Sequence, residues 1–390
     1  MYHFPTYVKQ TLSRLNTAGF LAFVVGGAVR DMCLGKTPVD FDIATNATPT
    51  ETEALFPKTL SFGKKHGTIT VLTDAANIEV TSFREDGSYH NHRQPESVLF
   101  VGDLHSDLSR RDFTINAMAM DIDGNIIDPF DGQSDLSLNT IRTVGCPNLR
   151  FSEDALRLLR AVRFSAQLGF YVECDTWAAI QANAALAKTL SAERIRDEVE
   201  KILLSSNPAH IEHILKLGLL DGFLGGQVTD LPYPLTILGQ LDAEKSLRWI
   251  GFLYAAGLNE TVLQNLRLDK KTITLTKNVL ALLHKGIATD KFRLKQQLYK
   301  YTLNATSTAI RLEYTFHQAD KQQILDEILT NKEPYQLSHL ALSGADLLTL
   351  GFASGKQLGK TLQTLLGHVM EFPEDNTREK LLEIIKLKQQ

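Results

Sequence analysis

From Val24 the chain reads VVGGAVRDMCLGKTPVDFDIAT. An apolar run breaks at Gly26-Gly27, Arg30-Asp31 follow, and Asp40 and Asp42 then stand two residues apart around Phe41. On a strand, residues i and i+2 face the same way, so the two carboxylates sit side by side. They repel unless cations lie between them. Hard divalent ions such as Mg²⁺ take oxygen ligands and bridge carboxylates to substrate phosphates. The upstream glycines let a backbone turn approach a phosphate closely. Together these parts outline nucleotidyl transfer assisted by two metal ions. Each part alone has a plainer reading: a Gly-Gly pair is usually a turn, and Asp-x-Asp a solvated strand edge. Glu79, in Ile78-Glu79-Val80, is either a third metal ligand facing the pair or a solvated strand residue.

Two further groupings carry chemistry. Arg110-Arg111-Asp112-Phe113-Thr114-Ile115-Asn116 opens with adjacent guanidinium forks suited to phosphate, and Asp112 and Asn116 are candidates for a ribose. Its plainer reading is a helix N-terminus with ordinary charge pairing. Ser152-Glu153-Asp154-Ala155-Leu156-Arg157 then begins a helix predicted over 153–168, with Ser152 as its N-cap. Glu153, Asp154, Arg157, Arg160 and Arg163 fall on one half of that wheel, and Ala155, Leu158, Leu159 and Val162 on the other. Asp154 and Arg157 are three apart and hence neighbours, so a helical salt bridge accounts for them alone. It gives no reason for two more arginines.

An Asp–Arg pair also has a meaning for base choice. Cytosine and adenine both show an amino donor beside a ring-nitrogen acceptor, whereas uracil and guanine show an acceptor beside a ring N–H. Asp only accepts and Arg only donates. A fixed pair therefore complements C and A, and each mismatch leaves buried polar groups unpaired at about 1–3 kcal/mol per group. Side chains can thus select C and A without a nucleic-acid template.

These groups need elements to hold them. Segments FLAFVVGG, DFDIA, TITVLT, IEVTSF and INAMAMDI predict strands, and TPTETEALF a helix start. Loop signals cluster at 85–95 and 121–135. After about residue 150 helical periodicity takes over, in 153–168, 191–204, 208–217, 292–303 and 376–388. The expected class is α+β, an α/β head followed by an all-helical remainder.

The 390 residues suggest two to four domains, and 43% hydrophobic with 22% charged residues is ordinary for a soluble protein. MYHFPTYVKQ lacks the pattern of a signal peptide, and no apolar run reaches the roughly 20 residues that span a bilayer. Cys33, Cys146 and Cys174 are scattered, fitting neither a disulfide framework nor a zinc site, so a cytoplasmic protein is expected. Net charge is −4, yet residues 267–300 carry nine basic residues against Asp269 and Asp290. Lys270, Lys271, Lys277, Arg293 and Lys295 are the candidates there for a phosphate backbone, the alternative being a solvated basic helix face.

GGAVRD with DFD, RRDFTINAMAMD, DPFDGQSDL, RFSEDALRLLRAVRF, SAERIRDE and GKQLGKTLQTLL, in that order over nearly the whole chain, resemble the bacterial class II tRNA nucleotidyltransferases. These are the CCA-adding enzymes of Bacillus-like type, within the poly(A) polymerase superfamily. The resemblance implies a seahorse-like chain: a nucleotidyltransferase head at 1–148, a neck reading the base at 149–220, a body at 221–300 and a tail at 301–390. It implies two Mg²⁺ ions on Asp40 and Asp42. Gly26, Gly27, Arg30, Arg111, Asp112 and Asn116 would lie against CTP or ATP. Asp154 and Arg157 would read its base, and Arg160 and Arg163 would line the site. The partners implied are CTP, ATP and the acceptor–TΨC arm of tRNA, with no membrane; a homodimer is compatible with it. The head loop departs from the family pattern, with Asn91 where Asp is expected and Gln94 where Arg is. That loop bears on the switch to adding A, so CC-adding, A-adding and poly(A)-polymerase activities are the alternatives within the superfamily. A small-molecule nucleotidyltransferase would not need about 240 further helical residues, and a non-catalytic tRNA-binding protein would not need Asp40, Asp42, Asp154 and Arg157 together.

Overall fold

The head is built on a seven-stranded sheet. In order across it lie Ile126–Ile127, Ala119–Met120, Ala22–Val25, Asp42–Thr45, Asn77–Ser82, Thr68–Leu72 and Thr59–Leu60. The computed structural model describes residues 3–87, 89–90, 94–95 and 98–389. All neighbours in the sheet are antiparallel except the Asp42–Thr45 and Asn77–Ser82 pair. Val24, Ile43, Ile69, Ile78 and Val80 fill the sheet's core, all essentially without exposure. The alternation in ITV and IEV thus does what the pattern predicts, with apolar positions inward and polar ones outward. The Thr6–Thr17 helix adds Val8, Leu12 and Leu15 to the buried set. A capping box, with Thr48 and Glu51 exchanging hydrogen bonds, starts the Pro49–Leu55 helix where TPTE predicts it.

The sequence misses several short strands: Thr59–Leu60, Ile126–Ile127, and a parallel pair of Thr140–Ile141 with Tyr171–Val172. Each is two residues long, too short for an alternating pattern to register. The 85–95 loop instead extends as β-ribbon, with Arg84–Asp86 paired to Val98–Phe100 and Tyr89–His90 to Gln94–Pro95. Asn91 lies outside the described residues.

The helix predicted over 153–168 is two helices. Pro147–Glu153 ends at Asp154, which is extended (φ −133°, ψ 105°), and Leu156–Leu168 begins after it. Ser152 is therefore not an N-cap; it sits inside the first helix and donates to Leu149 O. The break has a local cause. The Asp154 carboxylate accepts the Leu156 amide at 3.0 Å, offering the backbone an alternative to a continuous helix.

The chain divides into two compact units, Met1–Thr229 and Asp230–Gln390. The second is helical, with Trp249, Phe252, Leu280, Leu294 and Leu312 in its core. Lys295 corrects one expectation. It is 1% exposed, on the same face as Leu294 and Leu298, and its Nζ lies 2.7 Å from Glu333. Lys291 reaches the same carboxylate at 3.1 Å. Lys295 is thus an internal ion pair and not open to a phosphate backbone, whereas Lys270, Lys271, Lys277 and Arg293 are exposed. Among the described residues no helix is long and apolar enough to cross a membrane.

Candidate active site

Sheet register brings the first grouping together. Asp42 pairs with Val25 on one side and with Glu79 on the other, so the strand that ends at the Gly26-Gly27 turn runs beside the carboxylate. The strand begins at Asp42, and Asp40 and Phe41 precede it. The alternation nonetheless holds across the boundary, with Phe41 buried and both acids facing out. Gly26 takes φ +72°, a backbone conformation that favours glycine, and a Cβ there would crowd the Arg111 guanidinium at 3.1 Å.

Asp42 is held above the ordinary carboxylate range. The protein packed around it is the main cause, the Glu79 charge the next; Asp40 adds to both and Arg111 opposes them. Carboxylates short of positive charge are what a hard divalent cation relieves, so this donor set fits Mg²⁺ shared with phosphate oxygens. Among the described residues no three carboxylate, imidazole or thiolate groups form a ready cage. Glu79 is thus a charge neighbour of Asp42 and not part of an assembled three-donor site.

The three groupings line one cavity of about 710 Å³, all within the first unit. Eight cations reach it (Arg30, Arg110, Arg111, Arg157, Arg160, Arg163, Arg194 and Lys201) against Asp40, Asp42, Asp112 and Asp154. Gly26, Gly27 and Asn116 complete the expected set there.

Nearly every arginine has a carboxylate behind it. Asp107, fully buried, holds Arg110 at 2.8 Å and Arg111 at 3.1 Å. Arg30 pairs with Asp31 and donates to Asn116 Oδ1 at 2.8 Å. Asp112 takes Arg160 at 2.6 Å, Asn116 Nδ2 at 3.1 Å and the Phe113 amide at 2.8 Å. Burial would raise the Asp112 pKa, but the Arg160 charge, the hydrogen bonds from Asn116 and Arg160 and the Arg157 charge override it and hold it down to about 2. Asp112 and Asn116 therefore fix Arg160 and Arg30 while still lining the cavity. The segment follows the Leu104–Ser109 helix, so its plainer reading as a helix N-terminus fails too.

Asp154 and Arg157 both reach the cavity, but their side chains do not pair; only the Arg157 amide donates to Asp154 O, at 3.0 Å. Asp154 is taken by Arg194 Nη2, at 3.0 and 2.8 Å to its two oxygens. Arg157 pairs with Glu153 at 2.6 Å and donates to the carbonyls of Arg150 and Arg110. The surface salt bridge that offered the simpler account is absent, and an acceptor and a donor are each fixed by a separate charge. Arg163 pairs with buried Glu198.

Arg194, Lys201 and Phe164 are cavity residues to which sequence reasoning gave no role. For Arg194 and Lys201 a signal existed. Arg194, Glu198 and Lys201 recur at i, i+4 and i+7 on the Ala192–Leu203 helix, one charged stripe beside buried Ile195, Val199 and Ile202. Among the described residues that line the cavity, Arg111 Nε and Arg194 Nη1 are buried donors with no protein partner. Such orphans are costly unless an anion or a polar ligand meets them.

Known proteins resemble this chain along most of its length. One family model, described as the poly A polymerase head domain, matches residues 22–142. An RNA and SrmB binding site of polymerase A matches 169–228, and a tRNA nucleotidyltransferase domain 2 matches 242–385. The CCA-adding enzyme of Limosilactobacillus fermentum is 38% identical over 389 residues, covering 96% of this chain and 94% of that one. The chain belongs to the CCA-adding enzyme family. The enzyme of Geobacillus thermodenitrificans is 51% identical over 215 residues, a stretch covering 55% of this chain and 53% of that relative. A crystal structure of the Bacillus stearothermophilus CCA-adding enzyme in complex with CTP superposes with a TM-score of 0.84 at 32% identity, covering 98% of each chain.

Two outcomes follow from the ion pairs. Asp154→Ala and Arg157→Ala should each raise incorporation of U and G relative to C and A; unchanged selectivity with all four nucleotides in both variants would refute base reading by these side chains. Because the folded Asp112 pKa of about 2 lies below its ordinary 3.8, its contribution is complete above about pH 5 and is lost as pH falls toward 2. Denaturant unfolding should give Asp112→Asn a deficit of about 2 kcal/mol at pH 7, about half of it gone near pH 3. A pH-independent deficit would contradict this.

Proposed function

We propose that the chain adds CCA to the 3′ end of tRNA without a template, using CTP and ATP and releasing pyrophosphate. The observation that carries this is the cavity itself, where cations outnumber carboxylates by eight to four beside an Asp40/Asp42 pair short of positive charge. A nucleoside triphosphate is an anion that the donors gathered there can meet through N–H groups their carboxylates leave open. Arg30, Arg111, Arg160 and Arg163 are the groups to hold its phosphates, and the unpartnered Arg111 Nε supports this. Gly26 and Gly27 let backbone approach the same phosphates. Asp154 and Arg157 present the acceptor and the donor that C and A share, and Arg194 fixes Asp154. Asp40 and Asp42, with Glu79 close by, are the residues to hold two Mg²⁺ ions. Bound there, the ions supply Lewis acidity at the α-phosphate and at the attacking 3′-hydroxyl. The chain's own contribution is positioning: the arginines orient the triphosphate in line for attack and stabilise the charge that leaves on pyrophosphate.

Head, neck, body and tail at 1–148, 149–220, 221–300 and 301–390 belong to this reading, with tRNA resting on the helical parts and a cytoplasmic setting where tRNA matures. The basic surface supports it in revised form. Lys285, Arg293 and Lys300 border a cleft of about 560 Å³, and they replace buried Lys295 as candidate phosphate contacts beside Lys270, Lys271 and Lys277.

Sequencing the product from a tRNA ending at its discriminator base tests the activity directly; CC alone, a single A or a poly(A) run would each point to a different member of the superfamily. Asp40→Ala and Asp42→Ala should abolish addition of both C and A while tRNA affinity is retained. Near-parental turnover with Mg²⁺ present would remove the carboxylates from the chemistry. Replacing Lys270 and Lys271, or Arg293 and Lys300, by Ala should weaken tRNA binding and flatten its salt dependence by up to about one unit of slope per lost contact. Lys295→Ala should leave that slope alone and cost about 1–2 kcal/mol of stability, because it empties a buried position and takes one of two lysines from Glu333, which keeps Lys291. An unchanged slope in the exposed pairs would return this surface to a solvated helix face.

A further inference from the structure

Phe164 meets three guanidinium groups at once. Its side chain is 5% exposed and lines the cavity. The guanidinium carbons of Arg163, Arg30 and Arg160 lie 3.8, 5.2 and 5.3 Å from its ring centroid. Phe113 packs against the same ring edge-to-face, at 5.7 Å and 82°, which fixes its orientation. Arg160 and Arg163 lie on the Leu156–Leu168 helix, whereas Arg30 comes from the Gly27–Cys33 helix next to the glycine turn. Two separate elements thus deliver like charges to one aromatic surface.

Such a gathering is unfavourable without compensation. Burial lowers the Arg163 pKa, and the Arg160 charge beside it lowers it further, against the pull of Glu198. Carboxylates answer part of this, but a carboxylate also consumes N–H donors and cancels the charge an anion would meet. A π face attracts a cation through its quadrupole and accepts no in-plane hydrogen bond, so it gathers guanidinium groups while leaving their edges for phosphate oxygens. An aliphatic side chain of similar volume would fill the space with no such attraction.

We propose that Phe164 is a positioning residue of the nucleotide site, its ring holding Arg30, Arg160 and Arg163 together as a preassembled cradle for the triphosphate. The proposal rests on the functional reading above. It assigns to the ring the cost of gathering the cations before substrate arrives, so the triphosphate does not have to meet that cost on binding. Without the ring's charge distribution the three arginines are held by their carboxylates alone and repel one another unscreened, and nucleotide binding weakens for CTP and ATP alike, since the cradle meets phosphates and not the base.

Progressive fluorination tests this, because it removes the quadrupole and keeps ring shape. The full-length protein would carry mono-, di- or trifluorophenylalanine at 164, with nucleotide and tRNA KM, kcat and thermal midpoint measured in each. The expected result is a stepwise rise in KM for CTP and ATP together, reaching about tenfold in the trifluoro form. The tRNA KM, the preference for C and A over U and G, and the midpoint should stay at parental values. A flat nucleotide KM, or one rising only as the midpoint falls, would overturn the proposal and leave Phe164 as packing. Phe164→Leu should reproduce the KM effect and Phe164→Tyr, which keeps the π face, should largely restore it; equal loss in both would also count against it. If the parent protein adds neither C nor A, the functional reading fails on its own. Equilibrium binding of inorganic pyrophosphate to the same fluorinated series then decides the role of the ring, with stepwise weakening for and constancy against.

Discussion

Like charges confined to one cavity are the constraint on which this site is built. Eight cations and four carboxylates share about 710 Å³, and Coulomb repulsion between like charges about 4 Å apart amounts to several kcal/mol where water is thin. The fold answers with a partner for nearly every arginine: Asp107 for Arg110 and Arg111, Asp112 for Arg160, Glu153 for Arg157, Glu198 for Arg163, Asp154 for Arg194. Asp107, Asp112 and Glu198 among these acids are buried, so those carboxylates have given up most of their water. Buried pairs of this kind add little net stability, but they penalise any arrangement that separates them. The guanidinium groups are thereby fixed in place, which is what a site working by orientation and charge needs.

The same pairings explain why two separate stretches of chain must meet. Arg160 on the Leu156–Leu168 helix is locked to Asp112, 48 residues earlier. Arg157 donates to Arg110 O, 47 residues earlier, and Arg194 reaches back 40 residues to Asp154. The sheet contributes Asp42 and the Gly26 turn through one register, and the helices contribute the cations through long-range ion pairs. Electrostatics closes the site that hydrophobic packing only brings near.

The break at Asp154 shows how local and tertiary demands combine. A continuous helix would have kept Asp154 and Arg157 as ordinary i,i+3 partners and consumed both. The extended residue turns the Asp154 carboxylate toward the Leu156 amide and Arg194, and Arg157 toward Glu153. An acceptor and a donor survive as separately anchored groups. The opposite case is Lys295, which the sequence shows as one more basic residue in a basic stretch. Its place beside Leu294 and Leu298 makes it a buried counter-ion for Glu333 instead.

Much of this protein is written locally. Alternation in TITVLT and IEVTSF fixes which residues enter the sheet, the TPTE box starts its helix, and helical periodicity after residue 150 marks the change of architecture. Gly26-Gly27, Asp40/Asp42, Arg110-Arg111 and the Asp154–Arg163 segment were legible as chemistry, because their residue types are costly to keep together for any structural purpose alone. What the sequence does not settle is who pairs with whom. Asp154 has Arg157 three residues away and Arg194 forty away, and spacing favours the near one. Only the packed structure chooses the far one, because an ion pair depends on distance in space, and the gathering of three arginines around Phe164 does not exist until distant segments have met.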